Sequence, residues 1–230
     1  VQSGALGKIM RFTGTYDQDQ LLDESLPITW RHINKLAGCG ALGDLGSHLL
    51  SISQFIMGDI TKVNAVATTV FPKRPKSAGS TEMVDVENED IMTFMAEYAN
   101  GAIGQIACSR VATGRKNYLT YEIQGTKGSV RYDLERMGEV QVYFQSDNER
   151  DRGFRTVLLN PLMKGYSAFQ PAGGISIAYN DMKILEVHAL FDAITNGADY
   201  VTDFEFGYKI DRTVAAVIES SKTHEWVDVK

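Results

Sequence analysis

Asp44 and His48 are the two side chains whose types and spacing best suit chemistry. They lie four residues apart in a segment with helical periodicity, and residues four apart are neighbours on one face of a helix. A histidine can take up or release a proton near neutral pH. The pair is therefore predicted to move a proton to or from a hydroxyl group. The bare spacing also allows a structural histidine, with Asp44 favouring the first helical turn through the helix dipole.

Glycines precede this pair, and residues 38–43 match the pattern G-x-G-x-x-G. A dinucleotide-binding fingerprint needs a buried strand before the glycines and an acidic residue about 20 positions after them. Residues 30–37 do not have the pattern of a buried strand. We therefore interpret the glycines as positions where the backbone closely approaches a ligand or another domain.

Strands are predicted where polarity alternates or β-branched residues cluster. They are residues 7–17, 60–71, 91–99, 102–111, 140–145, 155–159 and 226–229, with a further hairpin over 118–132. Asn100-Gly101 joins two of these strands and is the pair favoured in a two-residue type I′ turn.

Helices are predicted over residues 42–57, over 181–195 and from a capping box at 202–205. Apolar residues spaced for one helical face occur in each, including Val187 and Phe191 in the second. Residues 18–40, 72–89 and 160–179 are predicted to be irregular. The acidic group at 85–90 lacks a calcium-loop pattern and is interpreted as a solvated loop.

These elements do not alternate as βαβ units. The order predicts an α+β fold with a mainly antiparallel open sheet and helices packed on one face. A bare sheet face favours pairing with a second copy, so we expect a homodimer or homotetramer.

Composition excludes several classes of function. The chain has 230 residues, 43% of them apolar, and a net charge of −6, which does not favour nucleic acid or anionic lipid. No apolar run approaches the roughly 20 residues of a membrane span. Cys39 and Cys108 have no metal-binding spacing, and we expect no metal site and a reduced, cytoplasmic protein.

The segment over residues 38–51 resembles the G-G-G-A-L-x-D-x-G-x-H-x-x-D pattern of the glucose-fructose oxidoreductase, inositol dehydrogenase and rhizopine catabolism (Gfo/Idh/MocA) family. The resemblance is to the family's C-terminal domain and covers nearly the whole chain. It includes residues 29–31, 109–117, 125–129 and 226–229. Residues 71–75 and 115–117 look most like the sugar and inositol dehydrogenase branch.

The resemblance implies a two-domain enzyme in which a Rossmann domain binds NAD or NADP. That domain would precede Val1, and the family's Glu-Lys-Pro motif with its catalytic lysine does not occur here. Residues 1–230 would then be the substrate-binding and oligomerisation domain, and this fragment alone would be inactive.

The family's chemistry implies roles for individual side chains. His48 would take a proton from a sugar or polyol hydroxyl while hydride leaves for nicotinamide, and Asp44 would hold the imidazole or a neighbouring hydroxyl. The further candidate substrate contacts are Trp30, Arg31, Ser51, Arg110 and Asn117. No cofactor-binding residue and no metal ligand is assigned within the chain.

Two departures leave the substrate open. Ser51 stands where the family usually has an aspartate, and Gly173-Gly174 stands where relatives often have Gly-His. The alternative to an enzyme is a non-catalytic family member that acts as a ligand-sensing regulator or an assembly module.

Overall fold

The computed structural model describes residues 1, 3–163 and 165–230. Within this part of the chain the main feature is a mixed sheet of nine strands. In spatial order they are β10 (Arg155–Leu158), β9 (Glu139–Phe144), β8 (Gly128–Asp133), β7 (Tyr118–Gly125), β1 (Ile9–Asp17), β6 (Ile103–Ser109), β5 (Ile91–Tyr98), β2 (Ile60–Thr68) and β11 (Val227–Asp228). Neighbouring strands are antiparallel except β1 and β6, which pair in parallel. The predicted mainly antiparallel open sheet is confirmed.

The central strands have one buried face and one open face. In β5, Phe94 and Ala96 are buried, whereas Met95 between them is 50% exposed. Ile103 in β6 and Val66 in β2 are also exposed. This alternation is the period of two that a half-buried strand requires.

The predicted hairpin between β5 and β6 is present, but its turn differs from the prediction. Gly101 has φ +81°, whereas Asn100 does not have positive φ, so the turn is not type I′. The N–H of Tyr98 donates to the carbonyl of Ala102, and the N–H of Gly101 donates to the carbonyl of Tyr98. These bonds indicate a three-residue loop with glycine in the left-handed position.

Four helices are present in the described residues: α1 (Asn34–Ala37), α2 (Ser47–Met57), α3 (Tyr179–Asn196) and α4 (Phe204–Thr223). α2 packs on β1, α4 packs on β2, and the two helices contact each other. Gln54 Nε2 donates to Thr213 Oγ1 across this contact at 3.1 Å. The N-cap of α4 is Asp203, whose side chain accepts from the N–H of Phe206, rather than Thr202 of the predicted capping box.

α3 does not bury the apolar face that its sequence predicts. None of its residues is buried, and Val187 and Phe191 are 50% and 60% exposed. The prediction that the helices pack on one face of the sheet therefore remains a prediction.

The acidic loop is more ordered than its composition suggests. A short hairpin of β3 (Lys73–Pro75) and β4 (Met83–Asp85) lies within the predicted loop at 72–89. Asn88 and Asp90 are buried, at 2% and 0% exposure, so the interpretation of residues 85–90 as solvated is wrong at these two positions. Both side chains form hydrogen bonds with backbone groups, which compensates for the loss of water.

Across the described residues, no helix is long and apolar enough to cross a membrane. The same residues contain no cluster of three potential metal ligands, and Cys39 and Cys108 are free.

Candidate active site

The chain enters the predicted helix through a wide first turn. Leu42–Gly46 forms a π-helical turn, and the regular helix α2 begins at Ser47. Such turns occur frequently at functional sites. Gly40 lies against the neighbouring backbone, because a Cβ at this position would be 1.9 Å from the carbonyl oxygen of Glu89. The periodicity predicted the helix but not its π-helical start.

Asp44 lies in this π-turn, and His48 lies in the first turn of α2. The Asp44 side chain is 33% exposed, and His48 is open to solvent. Partial burial lowers the pKa of His48 below 6.5; the charge of Asp44 opposes this shift, and the charge of Lys183 adds to it. His48 is therefore mainly neutral near pH 7 and can accept a proton.

Tyr16, near the end of β1, packs beside the histidine. The ring centroids of Tyr16 and His48 are 5.8 Å apart, with an interplanar angle of 67°. The Tyr16 hydroxyl donates to Asn117 Oδ1 at 2.6 Å, and Gln18 Nε2 donates to the same oxygen at 2.8 Å. Among the described residues, Asn117 Nδ2 has no hydrogen-bond partner. This amide remains free to donate to a ligand.

Arg31 reaches Asp44 from the loop before the glycines. Arg31 Nε lies 3.4 Å from Asp44 Oδ2, and the guanidinium carbon lies 4.5 Å from the ring centroid of Trp30. A cavity of about 190 Å³ adjoins these three residues and is also lined by Cys39 and Gly43. Three of the predicted site residues therefore meet at one concave surface.

The other predicted substrate contacts are placed differently. Ser51 is half-buried on α2, three residues after His48. Arg110 is completely buried, and its Nε donates to Asp90 Oδ1 at 2.8 Å. Because no part of Arg110 reaches the surface, we do not include it in the proposed site.

A larger concavity of about 450 Å³ lies elsewhere on the sheet, lined in part by Thr13, Thr15 and Gln105. None of the predicted catalytic residues lines it. We therefore select the candidate site for its accessible histidine and carboxylate rather than for the size of the concavity.

The first turns of α3 add two side chains that sequence reasoning did not select. Lys183 Nζ lies 5.7 Å from the ring centroid of Tyr179. The charge of Lys183 influences His48, and Tyr179 contributes to the raised pKa of Tyr16, which is due mainly to burial. No sequence motif links α3 to α2, so only the folded structure reveals this electrostatic coupling.

Comparison with protein families places this chain. A family model described as the GFO/IDH/MocA C-terminal domain matches residues 1–131, which include the π-turn, Asp44 and His48. The chain belongs to the GFO/IDH/MocA family. The resemblance found in the sequence is thereby confirmed.

Several GFO/IDH/MocA relatives match over the whole chain. Levoglucosan dehydrogenase from Pseudarthrobacter phenanthrenivorans is 38% identical, with 100% of this chain and 62% of that protein covered. A solved structure of levoglucosan dehydrogenase in complex with NADH and L-sorbose has a TM-score of 0.95 at 38% identity, covering 100% of this chain and 60% of that one. An NAD-binding oxidoreductase from Klebsiella pneumoniae has a TM-score of 0.94 at 38% identity, covering 100% of this chain and 61% of that one. The chain spans about 60% of the length of these relatives.

The G-x-G-x-x-G match does not have a Rossmann context in this GFO/IDH/MocA chain. Residues 38–43 follow the short helix α1 rather than a strand, and they lead into the π-turn. The structure confirms that these glycines do not form a dinucleotide-binding βαβ unit.

Proposed function

We propose that this chain forms the sugar-binding half of an NAD-dependent dehydrogenase that oxidises a sugar or polyol hydroxyl. The observation that carries the proposal is the accessible His48 with a lowered pKa, adjacent to Asp44 in a GFO/IDH/MocA domain. A relative solved with NADH and L-sorbose supports the cofactor and the substrate class.

In this proposal His48 accepts the proton of the substrate hydroxyl. Bound NAD⁺ supplies the hydride acceptor, so that the carbinol carbon becomes a carbonyl carbon. Asp44 stabilises the imidazolium that forms and also holds Arg31. Arg31 and the Asn117 amide donate to neighbouring hydroxyls, while Trp30 and Ser51 border the sugar.

The residues of this chain suit an NAD-dependent reaction because they supply its acid–base chemistry, not because they bind the nucleotide. An accessible neutral imidazole is the group required opposite a hydride acceptor. The glycine turn is filled by Glu89, as the close approach at Gly40 shows. We therefore assign no cofactor contact to the glycine turn and propose that NAD is bound mainly by other residues of the protein.

The open face of the sheet is proposed to pair with a second copy of the chain. Val66, Met95 and Ile103 are each at least half exposed on neighbouring strands. Exposed apolar patches commonly mark protein interfaces. Light scattering of the full-length protein should give at least a dimer, and a monomer would contradict this part of the proposal.

The main test is His48→Asn in the full-length protein, assayed with NAD⁺ and a panel of sugars that includes levoglucosan and L-sorbose. Loss of the base should lower kcat/KM about 10²- to 10⁴-fold. His224→Asn is the matched control, because His224 is exposed at the end of α4 and should leave kcat/KM nearly unchanged. Near-normal turnover by His48→Asn would reject the assignment.

The 230-residue chain alone should produce no NADH. A full-length protein that binds a sugar but transfers no hydride would favour the ligand-sensing alternative.

A further inference from the structure

Two consecutive residues of the acidic loop bind the backbone at the two sides of the Arg31–Asp44 pair. Asn88 Nδ2 donates to the carbonyl oxygen of Arg31 at 2.9 Å. The Glu89 carboxylate accepts from the N–H of Gly40 at 2.9 and 3.0 Å and from the N–H of Leu42 at 2.9 Å. The side chain of Asn88 thus binds the backbone of Arg31, and the side chain of Glu89 binds the backbone of the turn that carries Asp44.

Asp90, the next residue, anchors this loop in the core. Its Oδ1 accepts from Arg110 Nε at 2.8 Å, and its Oδ2 accepts from the N–H groups of Val70 and Phe71 at 2.8 and 3.1 Å. Arg110 Nη1 also donates to the Arg31 carbonyl oxygen at 3.3 Å. Since Asp90 and Arg110 have no exposed surface, water does not compete for these bonds.

The Arg31–Asp44 contact needs such support. It has a single Nε–Oδ2 distance of 3.4 Å, and its side chains are 41% and 33% exposed. Exposed ion pairs of this kind contribute little on their own, because ordering two flexible side chains costs entropy. Their relative position must therefore be set by the backbone on both sides.

We propose that Asn88 and Glu89 are positioning residues of the site, which hold Arg31 against Asp44 and so control how strongly the Asp44 carboxylate acts on His48. Neither residue needs to contact the substrate for this role. The catalytic meaning of the inference rests on the proposed dehydrogenase function, whereas the positioning itself can be measured without turnover.

The test is a double-mutant cycle in the full-length protein, with Asn88→Ala and Arg31→Gln made separately and together. The His48 pKa is followed by NMR titration, and the KM for the sugar is measured in parallel. The charges that act on His48 are Asp44 and Lys183, and the Tyr16 ring packs against it. When Arg31 no longer compensates the charge of Asp44, the His48 pKa should rise.

Asn88→Ala should reproduce the direction of the Arg31→Gln shift and raise the KM about tenfold, while NAD⁺ binding stays unchanged. The double variant should add little to Arg31→Gln alone, because both changes disrupt one contact. Additive effects, or an unchanged His48 pKa in Asn88→Ala, would overturn the inference.

Glu89 provides an independent arm with a conservative partner. Glu89→Ala removes both acceptors and should raise the KM, whereas Glu89→Gln retains one acceptor oxygen and should stay within about twofold of wild type. Equal effects of the two variants would contradict positioning, because they would show that only the charge matters. If Glu89→Ala does not fold, Glu89→Asp withdraws the carboxylate and should change the KM in the same direction.

Failure of the proposed function has a different signature. A wild-type protein with no dehydrogenase activity would reject the enzyme assignment, while the His48 titrations would still decide whether Asn88 and Glu89 position the pair.

Discussion

The Tyr16 ring meets the His48 imidazole at a steep angle, with 5.8 Å between the ring centroids. This contact removes water from one side of the imidazole, and burial is the largest of the influences that lower the pKa of His48. The tyrosine is itself held by its bond to Asn117. We therefore expect this strand residue to influence both the orientation and the pKa of the proposed base.

Replacing the tyrosine ring should raise the pKa of His48. In Tyr16→Leu, water gains access to the imidazole, so the pKa moves up toward 6.5 and the acid limb of kcat/KM moves to higher pH. Tyr16→Phe is the control, since it keeps the ring and loses only the hydroxyl's bonds with Asn117 and Gln18. A shift in Tyr16→Phe as large as that in Tyr16→Leu would contradict this explanation.

Asp44→Asn should change the pH profile in the opposite direction. The charge of Asp44 raises the pKa of His48, so its removal lowers this pKa and extends the acid limb of kcat/KM to lower pH. The plateau should fall about 10- to 100-fold, because the imidazolium loses its stabilising partner. The exposed Asp199 offers a control in Asp199→Asn, which should leave both the midpoint and the plateau near their wild-type values.

The buried Arg110–Asp90 pair should matter far more for stability than an exposed pair. Arg110→Met leaves the Asp90 carboxylate uncompensated at 0% exposure and should lower the free energy of unfolding by about 3–5 kcal/mol. Lys73→Met breaks a 2.7 Å pair whose side chains are 58% and 78% exposed and should cost at most about 1 kcal/mol. Urea unfolding compares the two, and similar losses would contradict the assigned role of burial.

Gly40 should tolerate no side chain, because the obstacle is backbone. In Gly40→Ala the new Cβ would lie 1.9 Å from the Glu89 carbonyl oxygen, and we expect a loss of about 1–3 kcal/mol in the free energy of unfolding. Gly43→Ala would approach only Cys39 Sγ, at 2.7 Å. This side chain can rotate away, so the loss should be smaller. If thermal unfolding showed a larger loss for Gly43→Ala than for Gly40→Ala, the contact with the Glu89 carbonyl oxygen would not be what determines the loss of stability.

The local sequence pattern was sufficient to predict the features whose residues lie close together in sequence. The spacing of Asp44 and His48 predicted a shared helix, and Asn100-Gly101 predicted a hairpin. The details depended on longer contacts. The π-turn cannot be inferred from periodicity alone, because Glu89, far along the chain, binds the N–H groups of Gly40 and Leu42.

Predictions of burial from charge and apolarity were wrong at positions where tertiary contacts, rather than composition, decide the exposure of the side chain. Asp90 lies in an acidic run that resembles a solvated loop, yet Arg110 and two backbone N–H groups compensate for its burial. Val187 and Phe191 form a stripe that resembles a core face, yet both are exposed. The partner that compensates Asp90 lies far away in sequence. Likewise, nothing in the sequence around Val187 and Phe191 shows that no described residue covers them.

The place of β1 between β6 and β7 affects how the chain is made. Phe12 in β1 faces Gly104 on one side and Ile123 on the other, so β1 leaves the ribosome well before the two strands with which it pairs. Contacts of such high sequence separation slow folding and leave strand edges open meanwhile. Newly synthesised protein should therefore depend on chaperones until β7 has emerged.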